Sequence, residues 1–189
     1  MTKAQVYEAK TLYPFQRKTV DNILAEFKEN GKNFNLLFQL PTGGGKTVIF
    51  SEIAKEFIKR TSEKVLILTH RIELSVQTSK QLKAIDVNNK VISSDVKTIE
   101  DQDEYECYIA MVETLNNRLQ ENENFIENIG LVIVDEAHYN SFRKIFQFYG
   151  DVNILGVTAT PLSSNRALPL NDNYNKLLVG ESILSLIEG

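Results

Sequence analysis

Asn35-Leu36-Leu37-Phe38-Gln39-Leu40-Pro41-Thr42-Gly43-Gly44-Gly45-Lys46-Thr47 decides how the rest of the sequence is read. The apolar-rich Asn35–Gln39 (NLLFQ) runs into three consecutive glycines and then into residues 46–60, which carry helical periodicity. Glycines let successive backbone N–H groups turn inward around an anion, and the following helix aims its positive end at the same point. Strand, glycine loop and helix in that order make a phosphate cradle. Pro41, Thr42, Gly43, Gly44 and Gly45 would form its wall, Lys46 would reach the terminal phosphates of a nucleoside triphosphate, and the Thr47 hydroxyl would take a position on Mg²⁺. Leu40 stands where the strict Walker pattern asks for glycine. A chance Gly-Lys-Thr in a plain glycine turn would not need the strand and helix that flank this one.

Outward from the loop, apolar stretches alternate with amphipathic ones. Strand candidates are Asn35–Gln39, residues 65–69 (VLILT), 91–93, Cys107–Met111 (CYIAM), 131–135 (LVIVD) and 153–157 (NILGV). Their near-continuous apolar character fits strands covered on both faces. Helix candidates are residues 15–29, 46–60, Ile72–Ala84, Val112–Glu121 and 142–149. In the first, Val20, Ile23, Leu24 and Phe27 recur at helical spacing, and Gly31 is placed as a stop. The alternation predicts an α/β, three-layer domain with a mostly parallel sheet and helices on both faces. Residues 95–106 (DVKTIEDQDEYE) read as a solvated acidic connection and 161–175 as a loop, while 177–188 regains apolar residues.

Bulk properties narrow the class. The 189 residues, 42% hydrophobic and 24% charged, suit a single globular unit with a substantial core. No apolar run approaches the roughly 18 residues of a bilayer span, and the start, MTKAQVYEAK, lacks the apolar segment of a signal peptide, so the expectation is a cytoplasmic protein away from membranes. Cys107 is the only cysteine, which rules out an internal disulfide and a thiolate cage and predicts a buried, inert thiol. His70 and His138 are too few to predict a metal cluster. The formal charge of −4 argues against a surface that grips nucleic acid everywhere, though not against a local basic strip.

A nucleoside triphosphate site needs an acidic residue at the end of a second buried strand. The run Leu131-Val132-Ile133-Val134-Asp135-Glu136-Ala137-His138 supplies it. Asp135 would hold Mg²⁺, through water, and Glu136 would polarise the water that attacks the terminal phosphate. An acidic helix start after a strand has a purely structural explanation as well, but that explanation weakens beside the glycine loop.

These residues resemble the superfamily-two helicases and translocases, close to the motor subunits of type I and type III restriction enzymes. Residues 41–47 (PTGGGKT) look like motif I, Asp135-Glu136-Ala137-His138 like the DEAH form of motif II, and Gly156-Val157-Thr158-Ala159-Thr160-Pro161 like motif III. Residues 66–74 (LILTHRIEL) are similar to motif Ia, 111–115 (MVETL) to motif Ib, and Leu12-Tyr13-Pro14-Phe15-Gln16 to the adenine-sensing segment, so ordered matches span residues 12–161. The resemblance implies a RecA-like fold, use of ATP and Mg²⁺, and Gln16 reading the adenine edge. Tyr13 stands where many relatives carry arginine; it would stack on the base or pack in the core. His138, Thr158 and Thr160 would couple nucleotide state to the nucleic-acid path. Thr69, His70, Arg71 and Thr114 would lie against a sugar-phosphate backbone, contacts that position a strand without reading sequence. DNA is the expected partner, with RNA as the other possibility. Residues 1–189 would be one RecA-like domain, truncated before the second one with which relatives clamp ATP, residues 174–187 resembling the return stretch between the two.

Three functions compete at this point: a nucleic-acid-stimulated ATPase that tracks along or opens a duplex, a restriction-type translocase of duplex DNA, and a regulatory module using ATP as a switch. Glu136 argues against the last, because a binding module needs no positioned base.

Overall fold

The structure, a computed structural model, describes residues 12–39, 45–135, 147–149 and 152–158, together with the backbone of 176–179. Among these residues seven strands form one sheet: β1 (Asn35–Gln39), β2 (Lys64–Thr69), β3 (Asn89–Ile92), β4 (Cys107–Met111), β5 (Ile129–Asp135), β6 (Asn153–Thr158) and β7 (Lys176–Val179). Among the described residues four α-helices accompany them: α1 (Pro14–Asn30), α2 (Lys46–Thr61), α3 (Ile72–Ala84) and α4 (Val112–Glu121). The strand order is β3-β4-β2-β5-β6-β1-β7, and each pairing among them is parallel. The expected "mostly parallel" sheet is therefore parallel throughout its described strands.

Burial follows the two-residue period of a strand. Leu36, Phe38, Val65, Ile67, Ile109, Leu131, Ile133, Leu155 and Val157 pack against α1, α2 and α3 through Val20, Ile23, Ile49, Ile53 and Leu82. Their alternates, Leu37, Leu66, Leu68, Tyr108, Val132, Val134 and Ile154, pack on α4 through Val112, Leu115 and Leu119. This makes the three layers. Each such side chain removed from water contributes about 1.5–3 kcal/mol.

Local signals set the helix ends. Proline at the first position of α1 sacrifices no helical hydrogen bond, and Gly31, at φ 72°, ends the helix by donating its N–H to the Phe27 carbonyl at 3.1 Å. Lys59 and Arg60 lie in the last turn of α2, against the negative end of its dipole.

Several boundaries differ from those read in the sequence. β3 is Asn89–Ile92 rather than 91–93. It is an edge strand paired only with β4, so half of its residues escape full burial and the apolar signal thins. Asn89 enters the core as a polar residue, its Oδ1 accepting from the Ser79 hydroxyl at 2.6 Å and its amide donating to Val87 and Ser79 carbonyls. β2 starts at Lys64, whose stem lies along Tyr108 with the ammonium 5.7 Å from the ring centre. β5 starts at Ile129 and β6 runs on to Thr158. β7, inside the stretch expected to return towards a second domain, adds beside β1 as a strand. The helix expected at 142–149 lies mostly outside the described residues, of which Gln147 and Phe148 form a turn.

The acidic connection 95–106 does more than link β3 to β4. Within it a single 3₁₀ turn, Gln102–Glu104, puts Gln102 at the centre of a polar knot: Nε2 donates to the Phe125 carbonyl at 3.1 Å, Oε1 accepts from the Glu127 N–H at 3.0 Å, and its carbonyl accepts from the Tyr108 hydroxyl and from Lys64. The loop's other end is held by Arg118 of α4. This guanidinium, 8% exposed, donates from Nε to the Val96 carbonyl at 2.8 Å and from Nη2 to the Ser94 carbonyl at 2.7 Å. Arg118→Ala strips directed donors from both carbonyls and should cost about 1–3 kcal/mol, seen as a lower urea midpoint at unchanged slope. Lysine should not restore it, since one ammonium cannot reproduce the guanidinium fork.

Candidate nucleotide and nucleic-acid site

In an open parallel sheet, ligands gather beyond the carboxyl ends of the strands, where connections diverge to opposite sides. Here β1 leads through α2 to β2 across two intervening positions, which β5 and β6 later fill. β6 is thereby wedged between the strand preceding the glycine loop and the strand ending in Asp135. Gln39 pairs with Thr158, and Asp135 pairs with Val157. Three sequence motifs that are far apart in the chain end on adjacent strands.

Lys46 and Asp135 meet there. The Lys46 Nζ lies 3.2 Å from Asp135 Oδ1, with the carboxylate side chain 2% exposed and the lysine side chain 24% exposed. Gly45 precedes α2 in the left-handed region, φ 74° and ψ 50°, a conformation that disfavours any side chain. A Cβ there would also fall 2.4 Å from Gln16 Nε2. Thr47 sits half-buried in the first turn of α2, which contains no acidic residue to compete for an anion. Pro41, Thr42, Gly43, Gly44, Glu136, His138 and Thr160 lie outside the described residues. Thr158, fully buried, ends β6 between the two halves of the site.

Gln16, expected to read adenine, is 4% exposed. Its Oε1 accepts the Tyr13 N–H at 2.9 Å, while its Nε2 faces Gly45. Tyr13 does not pack in the core: it is 65% exposed. Arg17, the next residue, was not singled out in the sequence. It bridges α1 to α2, Nη1 lying 3.1 Å from Glu52 Oε1 and Nη2 3.2 Å from Asp21 Oδ1 and 3.8 Å from Glu56 Oε1. Only its spacing to Asp21 is a local sequence signal.

The second group of expected residues occupies the neighbouring strand ends. Thr69 pairs with Met111, so the bend from β2 into α3 adjoins the start of α4, where Thr114 is half-buried in the first turn. Thr69 itself is turned inward, its hydroxyl 2.7 Å from Ser75 Oγ and 3.3 Å from the Arg71 carbonyl that accepts from it. That side chain braces the bend. His70 is half-buried, and no cluster of metal-ligating side chains occurs among the described residues. Arg71, exposed, occupies the N-cap position of α3 without a side-chain capping hydrogen bond, and forms no ion pair among the described residues.

Elsewhere the chemistry is quiet. Burial, with the Glu106 charge adding to it, pushes the Cys107 thiol well above the usual thiol range, an inert state. A cleft of about 650 Å³ between the C-terminal ends of α1 and α2, with Phe27, Phe57 and Arg60 on its walls, lies at the opposite, amino end of the strands; it contains none of the motif residues. No helix among the described residues is long and apolar enough to cross a membrane.

Comparison with known proteins bears on the family and the fold. Residues 9–163 match the family described as "Type III restriction enzyme, res subunit". The chain is 31% identical over 198 aligned residues to the Saccharomyces cerevisiae protein named "Putative ATP-dependent helicase IRC3", covering 96% of this chain and 28% of that protein. The chain thus spans little more than a quarter of that relative's length. Among solved structures, the Pyrococcus furiosus Hef helicase domain superposes with a TM-score of 0.67 at 23% identity, over 89% of this chain and 39% of that one. The type ISP restriction-modification enzyme LlaGI, as a nuclease-deletion mutant in complex with a DNA substrate mimic, gives 0.67 at 19% identity over 95% and 20%. At these identities the superpositions speak for the fold, which is RecA-like. Family match, sheet order and the motif residues on one strand edge lead to one assignment: the chain belongs to the restriction-enzyme res-subunit family of superfamily-two helicases, as a first RecA-like domain.

Proposed function

We propose that this chain binds ATP with Mg²⁺ at the carboxyl edge of β1, β6 and β5, and that the protein containing it couples ATP hydrolysis to movement on nucleic acid, DNA in the first instance. The observation that carries the reading is the 3.2 Å contact between Lys46 and Asp135. It brings the residue after the glycine loop together with the end of β5, and the helix between them presents its positive end to an anion.

The donor set fits the metal as well as the nucleotide. A hydroxyl from Thr47 and a carboxylate from Asp135 are hard oxygen ligands of the sort Mg²⁺ takes alongside phosphate and water. When bound, Mg²⁺ would neutralise charge on the phosphate oxygens. Lys46 would exchange its carboxylate partner for terminal phosphate oxygens, Gln16 would meet the adenine edge, and Glu136 would take the proton of the attacking water. Thr158, between the two strands, and with it His138 and Thr160, would relay the occupied state towards His70, Arg71 and Thr114. The inward hydroxyl of Thr69 favours a bracing role for that residue in place of a direct phosphate contact. A second RecA-like domain, expected from the resemblance, would close on the same edge.

The reading is tested by titrating the protein with ATP in a calorimeter and following phosphate release with single-stranded DNA, RNA and duplex DNA added in turn. Absence of ATP binding would overturn it, and so would turnover indifferent to every nucleic acid. Arg71→Ala should lower affinity for single strands by similar factors across sequences, because a phosphate contact carries no base information. The slope of log affinity against log salt should flatten by about 0.7 for one lost contact to a single strand. Fluorescence titrations at several salt concentrations check both; an unaltered slope would make Arg71 an ordinary surface charge.

A further inference from the structure

We propose that Ile72 and Val76 form an apolar strip that selects deoxyribose over ribose in the strand held at Arg71, an inference that rests on the nucleic-acid path proposed above. α3 inverts the usual amphipathic order of a helix packed on a sheet. Its buried residues are Ser75, Thr78, Ser79, Gln81 and Leu82, all but the last of them polar, while Ile72 and Val76 stand 45% and 43% exposed. Neither belongs to a core cluster. Single exposed apolar residues are ordinary, but these two lie one helical turn apart on the same face, about 6 Å along the axis. They make one continuous strip, and it begins directly after Arg71.

The strip is also held in place. The Arg71 carbonyl accepts the Ser75 N–H at 3.2 Å and the Thr69 hydroxyl at 3.3 Å, which fixes the backbone from which Ile72 departs. Isoleucine and valine in a helix keep one strongly preferred χ1, so both side chains present a set hydrocarbon surface. In a polynucleotide a sugar separates each phosphate from the next, and a strand whose phosphate meets Arg71 lays an adjoining sugar over the strip. The two sugars differ there. Deoxyribose offers a methylene, which loses nothing by leaving water against Ile72 and Val76. Ribose offers a 2′-hydroxyl, both donor and acceptor, and neither side chain can pair with it. Burying a hydroxyl without a partner is unfavourable enough to lower affinity about five- to a hundredfold. Bases are poorer occupants, because stacking calls for an aromatic face that the strip lacks. Arg71 meets either backbone alike, so the cation supplies affinity and the strip supplies the choice of sugar.

Fluorescence titrations with oligodeoxyuridine and oligouridine of equal length isolate the 2′ position, because the bases are identical. The parent protein should bind the deoxyribose strand about five- to a hundredfold more tightly. Ile72→Thr and Val76→Thr each put a hydroxyl on the strip at similar size and should pull this ratio towards one. Ile72→Val keeps the strip apolar and should keep the ratio, while Arg71→Ala should weaken both strands by the same factor. All three side chains are exposed, so the variants keep the core intact, and unchanged thermal midpoints verify this. Equal parent affinities for the two strands, or a preference for ribose, overturn the inference. A ratio that survives in both threonine variants does too, as does one that collapses equally in Ile72→Val. If Arg71→Ala still weakens both strands in those cases, the path stands and sugar selection alone fails. If Arg71→Ala alters neither affinity, or the parent binds neither strand, the path itself is wrong and sugar selection falls with it.

Discussion

Replacing Glu136 with glutamine is expected to slow nucleic-acid-stimulated ATP turnover about 10²- to 10⁴-fold, the range of a lost general base, while ATP affinity stays nearly unchanged. The argument starts from Asp135. Its carboxylate is almost wholly buried at the end of β5 and already engaged with Lys46, so it is suited to hold cationic partners, not to receive a proton from a mobile water. The task falls to the next carboxylate in the chain. Glu136 lies outside the described residues, and its assignment rests on following Asp135 at the edge where the phosphates would lie. Glutamine keeps the size and most of the hydrogen-bonding capacity of glutamate but cannot accept the proton. Steady-state phosphate release at saturating ATP and single-stranded DNA, paired with an ATP titration of the same variant, measures the two effects separately. Unchanged turnover would hand the water to another residue; a large loss of binding would make Glu136 part of the metal's coordination.

Much of this arrangement was legible because it is written locally. β1 and β4, α3 and α4 fall at the residues read from the sequence, since each is bounded by a sharp change between apolar, polar and glycine-rich runs. Sheet order is different in kind. Alternation of strand and helix predicts parallel pairing, but nothing within Asn153–Thr158 says that it inserts between β1 and β5. That insertion is what makes Thr158 a neighbour of both halves of the candidate site. Edge strands were also poorly legible: β3 has one neighbour, keeps half its residues from full burial and carries a hydrogen-bonded Asn89 in place of an apolar residue. β7 lies at the opposite edge, beside β1 alone.

At the site the same division holds. Residue types and spacing mark Lys46, Thr47 and Asp135 as candidates, because the chemistry demands those groups after those strands, whereas Gln16 enters only through the family resemblance. Orientation is set by packing and could not be read. Thr69 fits a motif that contacts nucleic acid, yet its hydroxyl is spent on Ser75 and the Arg71 carbonyl. Arg17 carries no motif, yet its guanidinium joins α1 to carboxylates 35 or more positions away. Tyr13 could have stacked on a base or packed in the core in a linear reading, and its exposure removes the second.

Lys46→Ala should weaken ATP binding about ten- to a hundredfold, the equivalent of a charge-assisted hydrogen bond worth about 1.5–3 kcal/mol. Two effects of the substitution act in the same direction. The ammonium that would meet the terminal phosphate oxygens is gone, and Asp135, 2% exposed, loses the cation 3.2 Å away that offsets its charge. The carboxylate would then repel the incoming phosphates, which places the loss towards the upper end of the range. The loss should extend in full to tripolyphosphate, since Lys46 acts on the phosphates and not on the base. Raising Mg²⁺ should recover part of it, because the metal can take over neutralising Asp135 but cannot replace the direct contact. Calorimetric titrations of ATP and tripolyphosphate at low and high Mg²⁺ test each element of the argument. Equal affinities for the variant and the parent would remove Lys46 from the phosphate site and reduce its contact with Asp135 to an ion pair joining the start of α2 to the end of β5.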